Sequence, residues 1–197
     1  ADGKAWMMVD DAHGLGVFGK HGFGTVELAE LNQQQVPVVM GTFGKAIGTA
    51  GAFVAGSEAL IEYLVNFARH YVYCTAMPPA QAYATLHSMM ALRNGEQQQK
   101  LHHNIAFFKQ RIHNLDVRLM PSDSAIQPVL IGDPKRAIAL SDRVRALGVW
   151  ITAMRSPTVP KGTDRLRVTL SASHTEQDII ALTDALAIAL NEVGLDD

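Results

Sequence analysis

Hydrophobic and polar positions follow two rhythms along this chain. The apolar run Ala5-Trp6-Met7-Met8-Val9, ending at Asp10, predicts a buried strand over 5–10. Short apolar runs predict two more strands at 36–40 and 51–55. Between the first two, glycines at 14, 16, 19, 22 and 24 mark a loop rather than a helix. Residues 57–70 then read as an amphipathic helix, capped by Ser57 with Glu58 in its first turn. Pro78-Pro79 opens another helix that runs to about Arg93, because proline is tolerated in a first turn. A polar, Gln-rich helix follows over 95–114, with Leu101, Ile105, Phe108 and Ile112 at helical spacing.

The texture then changes. A strand is predicted at 125–131, a helix at 134–147 ending at Gly148, and a short strand at 149–152. Residues 165–170 alternate charged and apolar positions as a half-buried strand does. The closing helix, 175–193, is capped by Thr175 with Glu176 and Asp178 in its first turn. The chain therefore divides into a first domain, 1–115, and a smaller β-α-β-β-α domain, 116–197. The opening Ala1-Asp2-Gly3-Lys4 carries no initiator Met and no leader pattern. It runs into a strand that needs neighbours on both sides, so the sequence reads as a piece of a longer chain.

Composition narrows the class without fixing it. Hydrophobic residues make up 48% of 197 and charged residues 18%, as in a soluble α/β protein. A net charge of −2 with no basic stripe argues against nucleic acid or an anionic membrane as partner. One cysteine, Cys74, excludes an internal disulfide and fits a reducing cytoplasmic setting.

Lys45 is the only charged residue from position 31 to 57, within Gly41-Thr42-Phe43-Gly44-Lys45-Ala46-Ile47-Gly48. An ammonium in apolar surroundings is costly unless it is paired, deprotonated or covalently consumed. Lysines of that kind form Schiff bases with carbonyl compounds. A membrane helix is excluded, because a central Lys costs roughly 2.5–3.5 kcal/mol on insertion scales and glycines punctuate the segment. A P-loop is excluded too, since Ala46 stands where Ser or Thr is required.

Asp10 and His13 stand at the carboxyl end of the first strand, where open α/β sheets place ligands. A carboxylate there can pair with a protonated pyridine nitrogen, and the imidazole can bond a phenolic oxygen or shuttle a proton. Asp10 or Asp11 can instead cap the loop, with His13 a turn residue. No third ligand completes a metal site. Further on, Arg155 precedes a proline-stiffened loop, and Arg165 and Arg167 point to one face of the next strand. Arginines of this kind either bind carboxylates through paired hydrogen bonds or stand solvated on an edge strand.

Four segments in order resemble the motif set of the α-oxoamine synthases. They are Asp10-Asp11-Ala12-His13-Gly14, Thr42-Phe43-Gly44-Lys45, Tyr73-Cys74-Thr75-Ala76-Met77-Pro78-Pro79-Ala80, and the stretch from Arg155 to Thr175. The resemblance runs from about Trp6 to the last helix. It implies an α/β fold-type I pyridoxal-phosphate (PLP) transferase, aspartate aminotransferase-like: part of the large domain plus the small C-terminal α+β domain. It also implies pyridoxal 5′-phosphate as cofactor and a homodimer with its active site at the interface. Lys45 is then the internal-aldimine lysine and proton-transfer base, Asp10 the partner of the pyridine nitrogen, and His13 the contact to the phenolic oxygen. Thr42 binds the phosphate, Thr75 reaches a phosphate across the dimer, Arg155 or Arg167 takes a carboxylate, and Thr158 helps hold the acyl substrate.

Phe67-Ala68-Arg69-His70, Met77-Pro78-Pro79-Ala80-Gln81 and Ser124-Ala125-Ile126-Gln127-Pro128 most resemble the biotin-pathway member. This implies decarboxylative condensation of L-alanine with pimeloyl-CoA or a pimeloyl-carrier thioester. Glycine C-acetyltransferase, 5-aminolevulinate synthase and serine palmitoyltransferase share the core motifs, and a non-catalytic partner subunit is the alternative of another class. The family's chains are about twice this length, so the 197 residues alone are expected to be inactive or poorly folded.

Overall fold

The computed structural model describes residues 5–193. Ala1-Asp2-Gly3-Lys4, expected to lead into the first strand, and residues 194–197 lie outside the described residues. The elements in order are β1 (Met8–Asp10), α1 (Thr25–Leu28), β2 (Val38–Thr42), β3 (Ala52–Ala55), α2 (Glu58–Phe67), α3 (Arg69–Val72), α4 (Pro79–Leu92), α5 (Glu96–Ile112), β4 (Arg118–Leu119), β5 (Ile126–Leu130), α6 (Pro134–Ala146), β6 (Thr152–Met154), β7 (Arg165–Thr169) and α7 (Glu176–Val193). They pack as two compact units, Ala1–Gln98 and Gln99–Asp197. The division falls inside α5 rather than at 115/116, because the apolar stripe of that helix belongs to the second core. Among the described residues no helix is long and apolar enough to cross a membrane.

In the first unit β1 runs parallel to β2, and β2 pairs antiparallel with β3. The pairing of β1 with β2 is of the crossover kind, with the glycine loop and α1 as the connection. Gly24 precedes α1 at φ 98, and Asp11 supplies the cap for that short helix from the end of β1: its carboxylate accepts the Thr25 amide at 2.6 Å and the Thr25 hydroxyl at 3.0 Å. Ser57 caps α2 through Leu60 N at 3.3 Å, as its position predicted. The helix expected to continue to residue 70 breaks at Ala68, whose extended backbone separates α2 from α3.

The expectation of a buried first strand is corrected. β1 pairs only with β2 among the described residues, and Trp6, Met7 and Met8 are exposed. An apolar run reads as buried when both neighbours are present; here it forms the edge of a three-stranded sheet.

The second unit is a two-layer α+β arrangement. Its antiparallel sheet has the order β4-β5-β7-β6. Gln127 and Val129 of β5 stand opposite Val168 and Leu166 of β7, and all four are buried on one face. Against that core the helices contribute Leu101, Ile105, Phe108 and Ile112 from α5, Leu140 and Val144 from α6, and Ile179, Leu186 and Ala189 from α7. The alternation predicted for 165–170 thus places Leu166 and Val168 inward and both arginines on the other face. Thr175 and Asp178 cap α7 reciprocally: the Asp178 carboxylate accepts the Thr175 amide at 2.8 Å, and the Thr175 hydroxyl accepts the Asp178 amide at 3.2 Å. β4 escaped the sequence pattern because it is two residues long, and the strand expected at 149–152 lies at β6, paired with β7.

Candidate active site

β1 and β2 end side by side. Asp10 is in register with Met40, and the Asp11 amide donates to the Met40 carbonyl at 2.8 Å. Register partners on parallel strands share a face, and residues two apart on one strand share it too. Asp10, Met40 and Thr42 therefore leave the same face at the carboxyl ends of parallel strands. This is where open α/β sheets accept ligands.

The two aspartates do different work. Asp11 is 2% exposed, and a side chain on Gly14 or on Gly24 would collide with its carboxylate, so those two glycines admit it. It is the structural cap. Asp10 is exposed, and its Oδ1 accepts the Ala12 amide at 3.0 Å, which fixes the carboxylate at the strand end. His13 is exposed in the turn that follows, closed by the Gly14 and Leu15 amides on the Asp11 carbonyl at 3.0 and 3.1 Å.

Lys45 stands in the loop of the β2–β3 hairpin. Thr42 faces Ala52 across the two strands, the Phe43 amide donates to the Gly51 carbonyl at 2.9 Å, and the Thr49 amide donates to the Phe43 carbonyl at 2.8 Å. Gly51 at φ 104 gives the backbone the left-handed turn that closes this loop. Gly16, in the loop after β1, has φ 74, and a Cβ there would lie 2.6 Å from the Cβ of Ala46. The loop that carries His13 therefore touches the residue next to Lys45. Contrary to the apolar setting its sequence suggested, Lys45 itself is exposed, as are Gly44, Ala46 and Gly48 beside it, and only Ile47 of this stretch turns into the core.

A phosphorylated pyridine aldehyde asks for a phosphate donor, an anion at its ring nitrogen and an amine at its aldehyde. Thr42 Oγ1 is buried without a hydrogen-bond partner among the described residues. A hydroxyl left in that state has the chemistry to donate to a phosphate oxygen. Asp10 supplies an anion for a ring nitrogen, and Lys45 supplies a primary amine for an aldehyde. The set fits the group. Thr75 is exposed in the segment between α3 and α4, apart from the contacts just described.

The remaining candidates lie in the second unit. Arg165 spends its guanidinium locally, donating to the Thr163 carbonyl at 2.8 Å and the Thr163 hydroxyl at 2.9 Å. Arg167, between Pro128 and Thr152 in the sheet, keeps a buried Nε without a partner among the described residues. Arg155 follows β6 and is exposed; its carbonyl accepts the Thr158 amide at 2.9 Å, so the two candidates Arg155 and Thr158 form one turn. Asp164, 1% exposed, anchors that turn by accepting the Ser156 amide at 3.0 Å. Sequence reasoning assigned Asp164 no part. Thr85 and Ser88 were also passed over, and Gln81 was noted only within a motif, although their spacing of four and three places all three on one face of α4.

Known proteins resemble this chain in sequence and in fold. Residues 1–186 match the family model described as aminotransferase class I and II. Proteins named 8-amino-7-oxononanoate synthase from a Marinomonas species and from Cellvibrio japonicus are 52% and 49% identical, covering 92% and 99% of this chain and 46% and 49% of those proteins. The chain thus spans about half the length of the curated relatives it matches. Among solved structures, Sphingomonas wittichii serine palmitoyltransferase is 30% identical with a TM-score of 0.90, covering 98% of this chain and 49% of that one. An 8-amino-7-oxononanoate synthase from Francisella tularensis is 29% identical with a TM-score of 0.85, over 95% of this chain and 56% of that one. With the sheet topology, the strand-end site and these likenesses together, the chain belongs to the aminotransferase class I and II family and has the fold-type I architecture of its PLP-dependent members.

Proposed function

We propose that the protein is a PLP-dependent acyltransferase that condenses L-alanine with a pimeloyl thioester, on CoA or a carrier protein, to give 8-amino-7-oxononanoate, CO2 and the free CoA or carrier thiol in biotin biosynthesis. The observation that carries the cofactor assignment is the shared sheet face of Asp10 and Thr42 beside the Lys45 hairpin, with Thr42 Oγ1 buried and unpartnered among the described residues. Support for the substrates is the half identity to proteins named for that product.

Bound pyridoxal phosphate supplies an aldehyde that takes up amines and a cationic ring that accepts a carbanion's electrons. Asp10 holds a proton on the ring nitrogen and keeps that ring cationic. Thr42 donates to the phosphate, and Thr75 of a second copy donates to it across a dimer interface. His13 bonds the phenolic oxygen. The Lys45 amine would hold the cofactor at its aldehyde and, with alanine in place, would accept the proton from the alanine Cα. Arg167 receives a carboxylate through its uncommitted guanidinium edge, and Arg155 with Thr158 lines the acyl side. The protein works in the cytoplasm as a homodimer.

Borohydride reduction in the presence of pyridoxal phosphate, followed by peptide mass analysis, is expected to label Lys45. Labelling scattered over several lysines overturns the assignment. The structural likeness to serine palmitoyltransferase favours a sister acyltransferase as the second reading. Turnover with a panel of amino acids and acyl thioesters separates the two: alanine with pimeloyl thioester supports the first, serine with a long-chain acyl thioester the second.

A further inference from the structure

The loop that carries Lys45 is held from outside by one face of α4. Ser88 donates through Oγ to the carbonyl of Ile47. The Thr85 hydroxyl lies 2.8 Å from that of Thr49, and Gln81 Nε2 donates to the Ala50 carbonyl at 2.8 Å. Positions 81, 85 and 88 line one face of the helix and meet positions 50, 49 and 47 in reverse order. Ile47, 5% exposed, supplies the apolar anchor within the same loop.

The protons can be counted. Thr85 has one hydroxyl proton and gives it to the Gln81 carbonyl at 2.9 Å, so Thr49 is the donor in the threonine pair. Thr85 is only 5% exposed, which keeps water from replacing a lost partner. The hairpin base is closed by its own backbone bonds, but the segment from Ile47 to Ala50 depends on α4 for its outer hold.

We propose that Gln81, Thr85 and Ser88 are positioning residues for Lys45: by fixing the far limb of the loop they set where its amine stands. This rests on the reading of Lys45 as the cofactor lysine. None of the three is a catalytic residue, because each reaches the lysine only through loop backbone or the Thr49 hydroxyl. A displacement of the order of an ångström at a reacting group costs up to about a hundredfold in rate, so a loosened limb is costly without any lost contact to substrate.

The test uses the cofactor-loaded full-length protein and three variants, Thr85→Val, Ser88→Ala and the conservative Thr85→Ser. Thr85→Val and Ser88→Ala are expected to keep Lys45 as the borohydride-labelled residue. In both, the pH at which the visible absorbance of the cofactor changes is expected to move by about half a unit or more, and kcat to fall about tenfold with little change in KM. Thr85→Ser, which keeps the hydroxyl, restores both. In the cofactor-free protein, amide exchange of residues 44–50 is expected to quicken in Ser88→Ala while β2 and β3 stay protected. Unchanged absorbance titration and unchanged exchange in folded Thr85→Val and Ser88→Ala overturn the proposal, as does failure of Thr85→Ser to restore them. If Lys45 is unlabelled in the unaltered protein, the cofactor reading fails first and takes this one with it. If Thr85→Val does not fold, Ser88→Ala, which removes a single oxygen from a half-buried site, decides alone.

Discussion

The carboxylate of Asp11 is bound twice by Thr25, at the amide and at the hydroxyl, while its neighbour Asp10 turns to the sheet end. Adjacent acids of one motif are thereby divided between a buried cap and the open strand end. Asp11→Ala is expected to destabilise the protein by about 2–3 kcal/mol, because it removes charge-assisted bonds inside a site that two glycines shape. Chemical denaturation measures it; a loss below about 0.5 kcal/mol would contradict the structural role.

Asp10→Asn is expected to do the reverse. Stability should stay near that of the parent, since the side chain is exposed and its Ala12 bond survives in the amide. Turnover should drop by about two orders of magnitude, as for removal of a preorganised charge at a reacting ring. Steady-state kinetics beside a thermal melt gives both numbers from one preparation.

Thr42→Val separates cofactor binding from folding. The hydroxyl oxygen it removes is buried and has no partner among the described residues, so the cofactor-free protein is expected to be unchanged or up to about 1 kcal/mol more stable. Affinity for pyridoxal phosphate is expected to weaken about tenfold, the value of one hydrogen bond to a charged acceptor. Fluorescence titration with the cofactor reads this, and undiminished affinity would remove Thr42 from the phosphate site.

At Gly16, alanine meets two obstacles at once. Its φ of 74 disfavours a side chain, and the new methyl would press on Ala46 at 2.6 Å. A cost of about 1–3 kcal/mol is expected, together with slower capture of the cofactor because the strained contact adjoins Lys45. A Gly16→Ala protein with parental stability and capture rate would show that the two loops are not braced against each other.

Glu27 gives a pH signature. Burial is the largest single influence on its carboxyl and pushes it up, but the amides of Phe23 and His21 and the His21 ring together outweigh it, leaving the pKa below the ordinary value. A depressed carboxylate contributes stability above its unfolded pKa and loses that contribution as pH falls through the folded value. Urea midpoints measured from pH 6 downward should therefore fall less steeply in Glu27→Gln than in the parent, and parallel curves would count against the bonds from His21 and Phe23.

Much of this architecture was legible in the order of residues. Ser57, Pro79 and Thr175 begin helices because each has the local chemistry a first turn needs, whatever surrounds it. The stripe of α5 and the alternation of β7 were legible for the same local reason. What failed depended on distant partners. The openness of β1 follows from its place at the sheet edge, and the placing of β2 through Thr42 follows from hairpin pairing with Ala52. Among the candidates for the site, Asp10 and Lys45 stood out as charges beside apolar runs, whereas Thr42 was marked only by the family resemblance. Gln81, Thr85 and Ser88 were not, since a polar face on a small-residue helix looks solvated until the loop it grips is seen. The uneven standing of Arg165 and Arg167 likewise depended on Thr163, two residues from one and four from the other.

The β2–β3 hairpin has a bearing on how the chain acquires its reactive amine. Its bonds join residues close in sequence, Phe43 to Gly51 and Phe43 to Thr49, and hairpins of this size form on the microsecond scale. Parallel pairing with β1 must first close the longer glycine-rich connection, an entropic cost met later. The order of assembly that follows is turn first, strand-end acid second: a folding chain displays Lys45 on a formed turn before Asp10 is level with it, and chemical capture of the lysine at short refolding times would precede selectivity for the cofactor.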